Sequence, residues 1–429
     1  MNILNIIDKK KVKAELTTEE INFFVDGFTE GKIPDYQMSA LLMAILLNGM
    51  TDREIFDMTM AMLNSGDVVD MSRLGGVVCD KHSTGGIGDS TTLALEPILA
   101  CCGVYVAKMS GRGLGFTGGT IDKLESIPNF DTALSEEEFF DVVKRVGCAV
   151  IGQTANLAPA DKKLYALRDV TGTVDSIPLI CGSIMSKKLA SGADTILLDV
   201  KYGSGAFMPT KESALQLAEK MVEIGTRAGK NIGALITDME QPLSDHVGNS
   251  LEVIGIIEVL KGKQNRLYNE IKEVAVKLLT LSGKYSEEEA EKAFCFVVES
   301  GAALRKHGDE SYILHPEKFV LGSKYEVVAE KDGFVDKMNA ANIGRAVTLL
   351  GGGRMKKEDK IDFSVGVVMS VCLGSAVKKG DVLCTVYHNG KGLDEAVEML
   401  KQSIHIGDKA PSAHKIAYAY VSKNGVQWY

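Results

Sequence analysis

Proline is scarce in this chain, nine residues in 429, and tryptophan occurs once. Aromatic residues make up 6%, too few for a platform that stacks nucleic-acid bases. None of the eight cysteines, at 79, 101, 102, 148, 181, 295, 372 and 384, forms a C-x-x-C pair. A zinc ribbon or dithiol redox motif is therefore unsupported, and buried thiols are expected. No apolar run approaches the ~18 residues of a membrane span. The amino terminus carries Lys9, Lys10 and Lys11 after a short apolar patch, the reverse of a secretory signal. The expected compartment is the cytoplasm. Positive charge is not in excess either: 48 basic against 57 acidic residues leave −9. The chain has no overall field to gather nucleic acid or an anionic membrane. Any bound anion must be held by a local arrangement of donors.

Glycine is abundant, at 44 residues, which with so little proline points to tight turns and close backbone approach. Apolar residues at 45% and charged residues at 24% are ordinary globular proportions. At roughly 150 residues per domain the length suggests about three units. The first 65 residues read as helices, with capping-box spacing at Thr17/Glu20 and Thr51/Glu54. The stripe Met38, Leu41, Leu42, Ala44, Ile45 and Leu46 suits either a core or a subunit interface. From Leu74 strands and helices alternate, implying a parallel sheet with helices on its faces. A second helical stretch covers about 160–190. After 325 short strands separated by glycine turns read as an α+β unit with no chemistry concentrated in it. The expected architecture is α/β with a discontinuous all-α domain (1–70 plus 160–190), a mostly parallel α/β domain (71–159 plus 191–325) and a C-terminal α+β domain (326–429).

Three glycine-rich loops follow predicted strands: 81–88, 110–119 and 201–206. Loops at one edge of a parallel sheet are where open α/β folds bind ligands. Glycines let backbone N–H groups converge, and a following helix adds its positive end. The loops also carry Lys81, His82, Ser83 and Thr84; Lys108, Ser110, Arg112, Thr117 and Thr120; and Lys201 and Ser204. Hydrogen bonds to a charged partner contribute roughly 1.5–3 kcal/mol each, so four or five could hold phosphate on an acidic protein. Gly113–Gly118 matches the dinucleotide fingerprint G-x-G-x-x-G, yet no acidic residue is well placed to hold a ribose. The pattern favours inorganic phosphate over a dinucleotide. Arg168, Ser183 and Lys187 stand in the second helical stretch; as a pattern, their cations read as surface charge, with Lys187 or Lys188 able to point inward.

The segments Lys81–Asp89 (KHSTGGIGD) and Ser110–Glu125 (SGRGLGFTGGTIDKLE) resemble the two signatures of the thymidine and pyrimidine-nucleoside phosphorylases. Ile151–Thr154, Pro159–Lys163, Tyr165–Asp169, Val174–Leu179, Lys201–Phe207 and Gly351–Arg354 extend the resemblance over essentially the whole chain. It implies reversible phosphorolysis, in pyrimidine salvage, of uridine, thymidine and deoxyuridine to free base and (deoxy)ribose 1-phosphate, with inversion at the anomeric carbon. A deoxynucleoside-restricted enzyme and a non-catalytic relative are the alternatives. Lys81, Ser83, Thr92, Lys108, Ser110 and Thr120 would bind phosphate. Arg168, Ser183 and Lys187 would bind the base, with His82 between the two, and His82, Arg168 and Lys187 would be catalytic. Lys108 is similar to the broad-specificity members, whereas Phe116 stands where the family usually has histidine. The resemblance also implies a homodimer through the N-terminal helices and no organic cofactor. It further implies a potassium ion near Gly88, Ser90, Leu243 and His246, whose usual glutamate is Gly255 here. Glu252 or Glu258 could replace that glutamate only if their helix were rotated.

Overall fold

The computed structural model describes residues 1–113, 116–153, 156–306, 315–356 and 358–429. Leu114 and Gly115 of the second loop, and Thr154, lie outside them. The chain opens with helices α1 (Ile3–Lys11), α2 (Thr18–Thr29), α3 (Asp35–Asn48) and α4 (Asp52–Leu63). Both expected capping boxes form: Thr17 and Thr51 accept from the backbone N–H of Glu20 and Glu54, whose carboxylates accept in return. Glu54 goes further, pairing with buried Lys10 at 2.8 Å.

An alternating run follows: β1 (Cys79–Ser83), α5 (Thr91–Cys101), β2 (Val106–Ser110), α6 (Thr120–Glu125), α7 (Glu136–Val146), β3 (Cys148–Gly152), α8 (Pro159–Asp169), α9 (Ile177–Ala190), β4 (Thr195–Tyr202), α10 (Lys211–Arg227) and β5 (Asn231–Asp238). Strand β4 lies parallel between β1 and β5, and β2 lies parallel to β3. A parallel bridge between Tyr105 and Val78 joins the two groups. The carboxyl ends of β1, β2 and β4 carry the three glycine loops, as the alternation predicts.

Helices α8 and α9 turn back to the N-terminal helices. Ala160, Leu164 and Leu179 share one apolar cluster with Phe24, Leu41, Ile45 and Met58. Of the stripe on α3, Met38, Leu41, Leu42, Ala44 and Ile45 are buried, so they are core, and Leu46 is half-buried. The opposite face leaves Tyr36, Met43 and Leu47 exposed.

The chain continues through β6 (His246–Val247), α11 (Asn249–Leu260), α12 (Arg266–Leu281), α13 (Glu287–Glu299) and α14 (Ala302–Lys306). The last part holds β7 (Ser323–Val328), β8 (Gly333–Met338), α15 (Ala340–Leu349), β9 (Gly366–Met369), β10 (Ala376–Val377), β11 (Val382–His388), α16 (Leu393–Ser403), β12 (Ile404–Gly407), β13 (Ala417–Ser422) and β14 (Gly425–Trp428). Composition marks 326–429 as one unit, but β13 pairs antiparallel with β5 and carries β14. The final strands therefore complete the central sheet. Strand β6 does the reverse, pairing with β9. Composition cannot reveal such exchanges, because strand partners are chosen across the sequence.

Candidate active site

The first loop turns sharply after β1. Gly88 has φ +66°, and a Cβ there would lie 3.0 Å from the Ser244 nitrogen, so only glycine fits. The second loop is pinched shut: a Cβ on Gly119 would fall 2.0 Å from the Gly113 nitrogen. Asp122 holds that pinch, accepting from the Gly113 N–H at 2.8 Å and pairing with Arg354 at 2.9 Å. A C-terminal residue thus braces a phosphate-type loop, a structural role that reaches beyond its own part of the chain. The three loops meet, for a Cβ on Gly85 would lie 3.5 Å from Phe207 Cε2 and 3.9 Å from Thr117 Cγ2. Phe116 faces Phe207 with ring centroids 6.3 Å apart.

Lys81 Nζ is buried, 2.8 Å from Asp199 Oδ2 and 3.7 Å from Asp89 Oδ1. Neither contact is well aligned as a hydrogen bond, so among the described residues this ammonium is held by ion pairing and keeps N–H groups unbonded. Burial opposes its charge, but Asp199 and Asp89 raise its pKa, so it stays protonated. Asp89 sits at the start of α5 and accepts from the Ser83 hydroxyl and from the Thr91 hydroxyl at 2.8 Å. Burial works against this carboxylate, yet Lys81, Lys201 and Lys123 hold it well below the usual range. A helix N-terminus favours an anion, and Asp89 supplies one from within the chain.

Lys108 is buried on β2, 3.2 Å from Asp80 Oδ1, and donates to the Lys81 carbonyl. Ser110 ends β2, Thr120 opens α6 and Thr92 lies in the first turn of α5, all in segments adjoining the loops. His82 is the next residue on β1. Burial, then Lys188 and Lys108, press its pKa well below the ordinary value, so the imidazole is neutral.

Three expectations for the loops are corrected. Lys201 is not offered to a ligand at its loop: it is fully buried, 2.8 Å from Asp199 Oδ2 and in contact with Glu270 Oε1. Ser204 serves the C-terminal part, accepting from the Ala340 N–H at 3.1 Å. Arg112 is turned outward and held by both oxygens of Glu125, at 2.5 and 2.6 Å.

The three base-type residues come together on α8 and α9. Ser183 and Lys187, one turn apart, are bonded at 2.9 Å, and Lys187 also pairs with buried Asp161. Arg168 is buried and donates to the carbonyls of Thr173 at 3.1 Å, Leu179 at 3.0 Å and Val174 at 2.7 Å. These bonds sew the 173–179 turn to α8 and leave one N–H on each terminal nitrogen. Neither Arg168 nor Lys187 is the solvated surface charge that the bare pattern suggests. Lys188 points the other way and pairs with Asp80 Oδ2 at 2.7 Å. Sequence reasoning missed the counter-ions Asp80, Asp89, Asp161, Asp199 and Glu270. Asp199 gives a signal as an acidic residue in an apolar strand, a residue type that rarely stays buried unless paired, whereas Asp89 in a loop and Asp161 in a polar helix give none.

The residues implied for potassium do not fit it well. A Cβ at Gly255 would lie 3.1 Å from His246 Nδ1 and 3.2 Å from Ser244 Oγ, so the imidazole fills the space of a longer side chain at 255. Burial keeps that imidazole neutral. A neutral nitrogen is a poor substitute for a carboxylate toward a hard cation. Neither candidate replacement is free: Glu252 pairs with Lys123 at 2.8 Å and Glu258 with Lys263 at 2.9 Å.

Comparison with known proteins agrees with this layout. Residues 75–304 match the model of the glycosyl transferase family a/b domain, and residues 4–66 that of the family's helical bundle domain. Residues 334–407 match the pyrimidine nucleoside phosphorylase C-terminal domain. A solved anthranilate phosphoribosyltransferase from Thermus thermophilus superposes with a TM-score of 0.58 at 19% identity, covering 72% of this chain and 99% of its own. That likeness shows the fold. The pyrimidine-nucleoside phosphorylases of Staphylococcus aureus strains bovine RF122 / ET3-1 and USA300 are each 49% identical over 430 residues, covering 97% of this chain and 99% of theirs. The chain therefore belongs to the pyrimidine-nucleoside phosphorylase family.

Proposed function

We propose that this protein catalyses the reversible phosphorolysis of pyrimidine nucleosides, releasing the free base and a pentose 1-phosphate. The observation that carries the assignment is Lys81. A buried, charged ammonium that makes no aligned hydrogen bond among the described residues, at the strand end that leads into the first glycine loop, suits an oxyanion that arrives from solvent. Ser83, Thr92, Lys108, Ser110 and Thr120 are the further phosphate donors of this reading. Asp89 shares Ser83 with the incoming anion and must yield part of that bond.

The chemistry needs no general base at the nucleophile, since phosphate is already an anion. Cleavage passes through an oxocarbenium-like state, as in glycoside hydrolysis, while the pyrimidine gathers negative charge. Lys187 and the free N–H groups of Arg168 meet that charge as it grows, where binding raises the rate. Ser183 orients the base edge. Neutral His82 can donate a hydrogen bond to the base without adding charge beside Lys108 and Lys188. Uridine, thymidine and deoxyuridine are the proposed substrates, on the strength of Lys108.

Two further readings belong here. The exposed face of α3, with Tyr36, Met43 and Leu47, suits a homodimer contact. All eight cysteines are free thiols, which suits a reducing compartment such as the cytoplasm; among the described residues no helix is long and apolar enough to cross a membrane. The deciding experiment measures base release from thymidine, uridine and deoxyuridine with and without phosphate. Release that depends on phosphate is expected; nucleoside binding without release would overturn the assignment.

A further inference from the structure

Behind the first loop, five charged side chains form a buried chain. Glu270, on α12, meets Lys201 Nζ through Oε1. Lys201 Nζ lies 2.8 Å from Asp199 Oδ2, and the same oxygen lies 2.8 Å from Lys81 Nζ. Lys81 in turn faces Asp89 at 3.7 Å. All five side chains are at most 7% exposed. Two cations against three carboxylates leave one surplus negative charge, and protonation of Glu270 brings the sum to zero. The second oxygen of Glu270 is buried and accepts no hydrogen bond among the described residues, so it has room to carry a proton.

We propose that Glu270 is a positioning residue of the phosphate site: acting through Lys201, Asp199 and Lys81, its proton cancels the surplus negative charge and sets the affinity for a divalent oxyanion at the first loop. The proposal rests on the phosphorolytic reading, which seats phosphate at Lys81.

Each group facing Glu270 is identified. Lys201 and Asp199 come from β4, Lys81 from β1 and Asp89 from the loop before α5. Burial, reinforced by Asp199 and Asp89 and opposed by Lys201 and Lys81, pushes the Glu270 carboxyl up to about 7. The lysines have raised values and the two aspartates lowered ones, so Glu270 is the member that titrates near neutrality. A dianion beside Lys81 and Asp89 favours the protonated form. By linkage, binding takes up a proton, and affinity falls as pH rises past about 7.

Sulfate is the probe, because it stays divalent from about pH 6 to 9 whereas phosphate titrates near 7 itself. Its dissociation constant is measured by calorimetry on the full-length wild type and on Glu270→Gln. For the wild type the constant should rise several-fold from about pH 7 to 8.5. For Glu270→Gln it should stay flat and be the tighter of the two at the upper end. Parallel profiles, or a flat wild type, overturn the proposal. Calorimetry of the wild type in buffers of different ionisation enthalpy needs no variant: it should report a fraction of a proton taken up per sulfate near pH 7.5, and none would overturn the proposal equally. Base release is followed separately. Phosphate-dependent release combined with pH-independent sulfate binding sinks only the role of Glu270, whereas no release at all sinks the phosphorolytic reading.

Discussion

Lys188 Nζ lies 2.7 Å from Asp80 Oδ2, while its chain neighbour Lys187 turns to Ser183 and Asp161. Asp80 is likewise the chain neighbour of Lys81. One buried ion pair therefore ties the helix that carries the base-type residues to the strand that carries the phosphate-type ones. The same carboxylate holds Lys108 through its other oxygen. Burial works against the Asp80 charge, but Lys108 and Lys188 keep the carboxyl far below the usual range.

Removing that counter-ion should be costly. Asp80→Asn leaves Lys108 and Lys188 buried without their shared partner. Breaking a buried pair in this way typically costs about 3–5 kcal/mol, and urea denaturation should show a loss on that scale. Phosphate KM should rise as well, because Lys108 loses its anchor. A variant as stable as the wild type would mean that the two lysines find other acceptors.

Arg168 has two tasks in one guanidinium. Arg168→Ala leaves the carbonyls of Thr173 and Val174 without this donor, while Leu179 keeps its bond within α9, and each buried unsatisfied group costs roughly 1–3 kcal/mol unless water reaches it. A drop in melting temperature should accompany the kinetic effect. The value of kcat should fall much further than phosphate KM rises; equal changes would remove Arg168 from the base pocket. Arg168→Lys should keep the charge but not the threefold bond, and so recover little stability.

Phe116 neighbours Phe207 and the guanidinium of Arg345, whose Cζ is 5.1 Å from the ring centroid. Phe116→His changes an apolar face of the second loop into a polar one. The ratio of kcat/KM for thymidine to that for uridine should shift. Identical ratios would show that this ring does not reach the base.

Glu96, on α5, is buried with one oxygen unpartnered among the described residues. Burial raises its pKa well above 4.5, against the pull of Lys108. The folded state thus holds a proton that the unfolded chain gives up, so stability declines as pH climbs above 4.5 toward the raised value. Glu96→Gln should remove that decline, with the gain largest at alkaline pH. Unfolding curves of both proteins between about pH 5 and 9 test this; superimposable pH profiles would mean Glu96 is ionised in the fold.

The crowding of His246 against Gly255 predicts little response to potassium. Exchanging potassium for choline at constant ionic strength should change the rate by less than about twofold, because Glu252 and Glu258 are already paired with lysines. A strong potassium requirement would show that carbonyl and hydroxyl oxygens suffice.

Local chemistry was readable in advance. Thr17 and Thr51 cap their helices with Glu20 and Glu54 as the spacing predicts. The glycine loops follow β1, β2 and β4, and Ser183 and Lys187 lie one helical turn apart. The third loop departs from the pattern. Strand β4 is buried along its whole length, so alternation could not tell which way Lys201 points, and its partner Glu270 is 69 residues away. The stripe on α3 shows the same limit, since a helix apolar on all sides does not announce which face its neighbours will cover.

The amino-acid order alone therefore determined where helices start, where the backbone turns tightly enough to present its amides, and which cations stand beside those turns. These features depend on residues within a few positions of one another. The tertiary structure decided which carboxylate each cation meets: Asp80 for Lys188 across 108 positions, Asp161 for Lys187 across 26. Charge pairing depends on distance in space and on burial, and neither is defined until the sheet and the helices have packed.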